Sequence, residues 1–171
     1  MVDINAVNSA IKGDTKSFEV LYDSISLELY KYSYYILGNE HDAEDVVSET
    51  FIEAIKGIKN LKHPETFKSW MFKILSARIK RKIATYVRDK KNVELDDVNP
   101  SFLSTEDFGN VENVMLQKAL SEISPDERSI LLLSTVQGYT TKEVSEMLEM
   151  PQGTVSSKLH RTLKKLRKMM E

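Results

Sequence analysis

Apolar residues recur along most of this chain at steps of three and four, which is the period of a helix that buries one face. Phe18, Leu21, Tyr22, Ile25, Leu29, Tyr32 and Ile36 lie on one such stripe, so Thr15 to Leu37 reads as a single long amphipathic helix. Gly38 and Asn39 stop it and open the next. Val46, Val47, Phe51, Ala54, Ile55 and Ile58 give a second buried stripe that ends near Lys59. Pro64 suits a first helical turn, where its missing N–H would have no partner in any case. Phe67, Trp70, Met71, Ile74 and Leu75 then form the inner face of a further helix that continues past Ile79 and Ile83. A short first helix spans about Asp3 to Lys12.

After Lys91 the period disappears. The segment "NVELDDVNPSFLSTEDFGN" is acidic, holds Pro100 and Gly109, and reads as a linker. Helix resumes around Val111. Ser124-Pro125-Asp126-Glu127 is a capping box with proline in the first turn, and Thr140-Thr141-Lys142-Glu143 is a second box. Between them Ile130, Leu131, Leu133, Ser134 and Val136 read as a core helix ending near Gly138. The expected fold is all-α: two small helical domains, residues 1–91 and 111–171, joined by a flexible acidic linker over residues 92–110.

The C-terminal pattern is more specific. A short capped helix, a tight turn at Glu149-Met150-Pro151 and a longer helix give helix-turn-helix spacing, with Val144, Leu148, Met150, Val155 and Leu159 at the buried positions. That turn often carries glycine in a left-handed backbone, and here Glu149 or Met150 takes the place at a cost of about 1 kcal/mol. In the last helix Val155, Leu159, Thr162, Leu163, Leu166, Met169 and Met170 fall on one face, and Ser157, Lys158, Arg161, Lys164, Lys165 and Lys168 lie largely opposite. Gly153, Thr154, Ser156 and Ser157 cluster at its N-terminal end, where backbone must come close to phosphate. The cations behind them would neutralise further phosphates in a salt-dependent way.

Charge sharpens this picture. The net charge of −2 conceals strong sorting. Glu19 to Glu53 holds nine acids against one base, and Lys68 to Lys91 nine bases against one acid. Asn92 to Glu127 returns to nine acids against one base, and Pro151 to Glu171 holds six bases against one acid. Alternating blocks of this kind suggest surfaces for partners of different sign.

Several classes are excluded or disfavoured. With no cysteine there is no disulfide, thiolate metal site or Cys nucleophile, a usage that suits the cytoplasm. The start "MVDINAVNSAIKGD" lacks the basic run and apolar core of a signal peptide. No stretch approaches ~18 consecutive apolar residues, so no membrane insertion is expected. His41, His63 and His160 have no partner at convincing ligand spacing, and neither G-x-S-x-G nor a phosphate-binding glycine loop occurs. No catalytic residue, metal or cofactor is expected.

The whole arrangement resembles an RNA polymerase sigma factor of the extracytoplasmic-function class of the sigma-70 family. The resemblance rests on "HDAEDVVSETFIEAI" (His41 to Ile55), "FKSWMFKI" (Phe67 to Ile74) and "GYTTKEVSEMLEMPQGTVSSKLHRTLKKL" (Gly138 to Leu166), in that order. It implies a non-enzymatic subunit of sigma regions 2 and 4, with core RNA polymerase (β′ clamp helices and β flap), promoter DNA and an anti-sigma factor as partners. Asp42, Asp45 and Glu49 match the segment that meets the polymerase clamp, and carboxylates at these steps suit paired contact with arginines. The helix from Pro64 to Arg88 matches the segment that opens and reads the −10 element as a single strand. Lys73, Arg78, Lys80, Arg81 and Lys82 supply its cationic track. Trp70 is expected to be buried rather than to stack on a base. Ala77 and Arg81 stand where the family often has asparagine and aspartate, so the usual reader of the flipped base is missing. In the −35 helix the candidate contacts are Thr154, Ser156, Ser157, Lys158, His160, Arg161 and Lys165. The family commonly has Lys and Arg where this chain has Ser156 and Lys158. The acidic linker would thread the RNA path as a nucleic-acid mimic. The alternative is a helix-turn-helix regulator that binds DNA without polymerase, which leaves the acidic 42–53 face and the basic 68–91 block without a role.

Overall fold

The computed structural model describes residues 2–92 and 118–170, and every regular element among them is helical. In the N-terminal half α1 spans Ile4–Ile11, α2 Thr15–Leu37, α3 Glu40–Gly57 and α4 Phe67–Asn92, with 3₁₀ turns at Ile58–Asn60 and Pro64–Thr66 between the last two. The C-terminal half comprises helical residues 118–121, α5 (Pro125–Leu131) continued by a π turn (Leu132–Val136), α6 (Thr141–Leu148) and α7 (Gln152–Met170). The expected linker and the helix start at Val111 lie outside the described residues, Asn92 excepted.

Local chemistry sets the boundaries. Asp3, Asp14 and Asn39 each accept a backbone N–H at the start of α1, α2 and α3. Gly38 ends α2 in the left-handed region at φ 68°, where a Cβ would be strained. Both capping boxes form. Ser124 and Glu127 bond reciprocally, as do Thr140 and Glu143. A backbone bond from Ser124 holds the Glu127 carboxyl below its ordinary value, and a bond from the Thr140 hydroxyl does the same for Glu143.

The core of the N-terminal half is Leu21, Ile25, Leu29 and Ile36 from α2, Val46, Phe51 and Ala54 from α3, and Phe67, Met71, Phe72, Leu75 and Ile79 from α4. The C-terminal half buries Ile130, Leu133, Val144, Leu148 and Val155. These two sets touch and form one continuous apolar cluster. Phe72 is the joint: its ring meets Tyr32 edge-on at 5.2 Å and Tyr139 at 6.1 Å. The Tyr32 hydroxyl bonds Ser76 and Ser129, one from each half, and burial pushes its pKa up to about 12.

Five apolar positions depart from expectation, Tyr22 among them: its ring packs on Phe51 at 4.6 Å, yet the side chain is largely open. Ile55 is exposed because it sits one step, about 100°, past Ala54 on the inner stripe. Leu163 is partly open for the same reason, one step past Thr162 on the buried line Val155, Leu159, Thr162 and Leu166; Met169 keeps to that line but lies in the last turn of α7 and is 43% exposed. Val136 is 68% exposed. In the π turn the Gln137 N–H reaches back five residues to Leu132, and the added residue rotates Val136 off the core face.

Candidate polymerase and promoter interfaces

α3 and α4 run antiparallel with an ion-pair ladder between them. Asp42 lies nearest the start of α3, within the first turn capped by Asn39. Its carboxylate accepts from Lys82 at 2.5 Å and from the Tyr86 hydroxyl. Asp45 lies 3.7 Å from the same lysine. One turn further on, Arg78 donates Nη1 to Glu49 at 3.0 Å and both Nε and Nη2 to Glu53, at 2.9 and 2.5 Å. Burial alone would raise the Asp42 pKa, but the hydrogen bonds from Lys82 and Tyr86 outweigh it and hold the carboxyl below its ordinary value. Hydrogen bonding to Asp42 raises Lys82, and hydrogen bonding to Glu53 raises Arg78.

The acids expected to face a partner are therefore already engaged. Asp42 is only 17% exposed at its side chain, whereas Asp45 and Glu49 are about half open. Glu53 belongs to the same row. The sequence reading does not single it out; its place four residues after Glu49 is the signal that points to it, but nothing local announces the pairing with α4.

Among the α4 cations, Lys73 lies 3.6 Å from Glu149, and Lys80 donates to the Leu148 carbonyl, both in the C-terminal half. Arg81 is exposed. Trp70 is partly buried: it packs on Phe67 at 6.1 Å and against Gly57, where a Cβ would meet the indole at 3.2 Å. It packs against the fold but is less buried than the sequence suggests.

The helix-turn-helix is built as the spacing requires. Glu149 takes the left-handed conformation at φ 54°, and its N–H closes on Ser145. Ser145 Oγ then donates to the Met150 carbonyl at 2.6 Å, and Gln152 reaches back to Thr141 at 3.3 Å. Val144, Leu148 and Val155 are buried between the two helices. On α7, Ser156, Ser157, His160 and Arg161 are exposed, and Thr154 is half-buried with its carbonyl accepting from Ser157 Oγ at 3.1 Å. Arg161 folds its Nε onto the Ser157 carbonyl at 3.3 Å. Lys158 pairs with Asp126 at 3.1 Å, and Lys165 donates to the Glu122 carbonyl. The outward face of α7 thus begins with small hydroxyls and continues with exposed His160 and Arg161. Among the described residues no cluster suited to a metal occurs, and no helix is long and apolar enough to cross a membrane.

Among the described residues the fold is all-helical, with an acid–base ladder on one half and a helix-turn-helix on the other, the latter a DNA-binding arrangement. Comparison with known families makes this particular. Sigma-70 region 2 matches residues 21–92, and Sigma-70 region 4 matches residues 113–166, between them most of the chain. The chain belongs to the sigma-70 family, in the extracytoplasmic-function class of sigma factors. It is 29% identical over 177 residues to the ECF RNA polymerase sigma factor SigW of Bacillus subtilis, covering 93% of this chain and 91% of that one. It is 29% identical over 147 residues to SigE of Mycolicibacterium smegmatis, covering 81% of this chain but only 56% of that longer relative. Two solved structures share the fold. CnrH in complex with the cytosolic domain of CnrY has a TM-score of 0.72 at 19% identity, covering 99% of this chain and 97% of that one. RpoE in complex with the anti-sigma factor NepR, from Bartonella quintana, has a TM-score of 0.73 at 21% identity, covering 91% and 98%.

Proposed function

We propose that this protein binds core RNA polymerase and directs it to a specific set of promoters, with no chemistry of its own. The observation that carries the reading is the presence of regions 2 and 4 in order on one chain. The acidic row on α3, Asp42, Asp45 and Glu49, is the surface offered to the polymerase clamp helices, whose arginines would replace Lys82 and Arg78 as partners. The C-terminal unit would also contact the β flap.

Once those acids are taken, Lys82 and Arg78 join Lys73, Lys80 and Arg81 as the cations that α4 offers the opened −10 strand. α7 enters the major groove at −35, with Thr154, Ser156 and Ser157 nearest the phosphates and His160 and Arg161 reaching base edges or backbone. Lys158 and Lys165 act in the same contact after release from Asp126 and Glu122. The working units are residues 1–91 and 111–171, and the site of action is the cytoplasm. An anti-sigma factor is the expected inhibitor, in keeping with the solved relative RpoE, which was captured with one.

Footprinting on a cognate promoter tests this against the regulator reading. Protection of −35 and −10 only when core polymerase is added supports the sigma assignment. Equal protection by the chain alone would replace it with a regulator.

A further inference from the structure

In a helix-turn-helix the N-terminal end of the second helix meets base edges. The first six residues of α7 are Gln152, Gly153, Thr154, Val155, Ser156 and Ser157. Val155 is buried, and Ser157 spends its hydroxyl hydrogen on the Thr154 carbonyl. A lone hydroxyl makes one contact that suits more than one base, so the serines and the threonine discriminate poorly. Gln152 is exposed, and it alone among the six holds a donor and an acceptor side by side in one plane. Next to it Gly153 has no Cβ, and the space where one would stand is open, so its neighbour on the helix does not keep a base edge away.

The Gln152 amide is also held. Nε2 donates to Thr141 Oγ1 at 3.3 Å, a bond that crosses from α7 to the first residue of α6. One N–H is thereby engaged, and the second N–H and the carbonyl oxygen are left for a ligand. In the major groove that donor and acceptor match N7 and the N6 amino group of adenine, the usual bidentate partner of a carboxamide. We infer that Gln152 reads one adenine of the −35 element, and that Thr141 is the positioning residue that orients its amide for the contact. The inference rests on the −35 role of α7 given above. It places base discrimination at the first residue of the helix, ahead of the hydroxyls and of Arg161.

Run-off transcription by the full-length chain with core polymerase, on templates randomised across the −35 element and sequenced as transcripts, reads base preference position by position. The parent should favour adenine on one strand at one position by about tenfold or more. Gln152→Ala should lose that preference and leave the other positions as they were. Gln152→Glu should move it to cytosine on the same strand, because the cytosine N4 amino group donates to a carboxylate. Thr141→Val keeps the size of the side chain and removes the acceptor, so it should lose part of the preference at that position and at no other. A glutamine that only ties α7 to α6, or that touches only a phosphate, would instead lower transcription from all templates alike. Such a uniform loss, or an adenine preference unchanged in Gln152→Ala, overturns the assignment. A parent with no −35 preference at any position overturns the functional reading, and this assignment with it.

Discussion

Arg128 donates from one guanidinium to the Ile36 carbonyl at 2.8 Å and, within its own half, to the Leu120 and Ile123 carbonyls at 2.6 and 3.1 Å. A single side chain thus closes the turn before α5 and ties that turn to the end of α2. Burial depresses its pKa to about 10, so the guanidinium is still charged at neutral pH. Replacing it by alanine leaves three buried carbonyls without this donor, a loss of about 3 kcal/mol. Urea unfolding of Arg128→Ala should show that loss. Arg128→Lys should recover only part of it, because an ammonium lacks the planar fork.

Asp42, Lys82 and Tyr86 predict the acid limb of stability. The folded Asp42 carboxyl titrates below its ordinary value of 3.8, so its contribution is complete above that value and is lost as pH falls through the folded pKa. Asp42→Asn should cost about 1–3 kcal/mol at pH 7. The stability curves of parent and variant should converge at the acid end. Curves that stay parallel from pH 7 to 2 would mean that the ionised form of Asp42 contributes nothing.

Thr162 points the other way. It is 1% exposed on the buried line of α7, and its hydroxyl has no hydrogen-bond partner. Valine has nearly the same shape and no polar atom to desolvate. Thr162→Val should raise stability by about 1 kcal/mol, read from the denaturation midpoint.

The two capping boxes should each be worth about 1 kcal/mol, so Ser124→Ala and Thr140→Ala are expected to lower stability by that amount. Thr140→Ala should also weaken −35 recognition, because Thr140 starts α6, which seats the reading helix.

Arg161 is exposed on the outward face of α7. Arg161→Ala should reduce the dependence of transcription on the −35 sequence while leaving association with core polymerase unchanged. A parallel loss of both would point to damage of the fold instead.

Much of this was legible in the chain. The long helices, both capping boxes and a left-handed turn at Glu149 or Met150 follow from local spacing, because each depends on residues within one or two turns; the structure puts that turn at Glu149. Contacts between distant segments were not. Nothing near Arg128 marks it as buried, since its acceptors include a carbonyl at Ile36, 92 positions away. The acids of α3 could be placed on one face, but their partners on α4 depend on how two helices pack. Ile55 and Leu163 failed for a smaller reason: one residue off the stripe turns a side chain from core to solvent.

In the proposed role this chain gives core polymerase its promoter choice. Run-off transcription with purified core polymerase on a promoter library reads that choice out. Transcripts from a discrete set of templates sharing −35 and −10 sequences, absent without the chain, are the expected result. The same transcripts with and without it, or none from any template, would rule the role out.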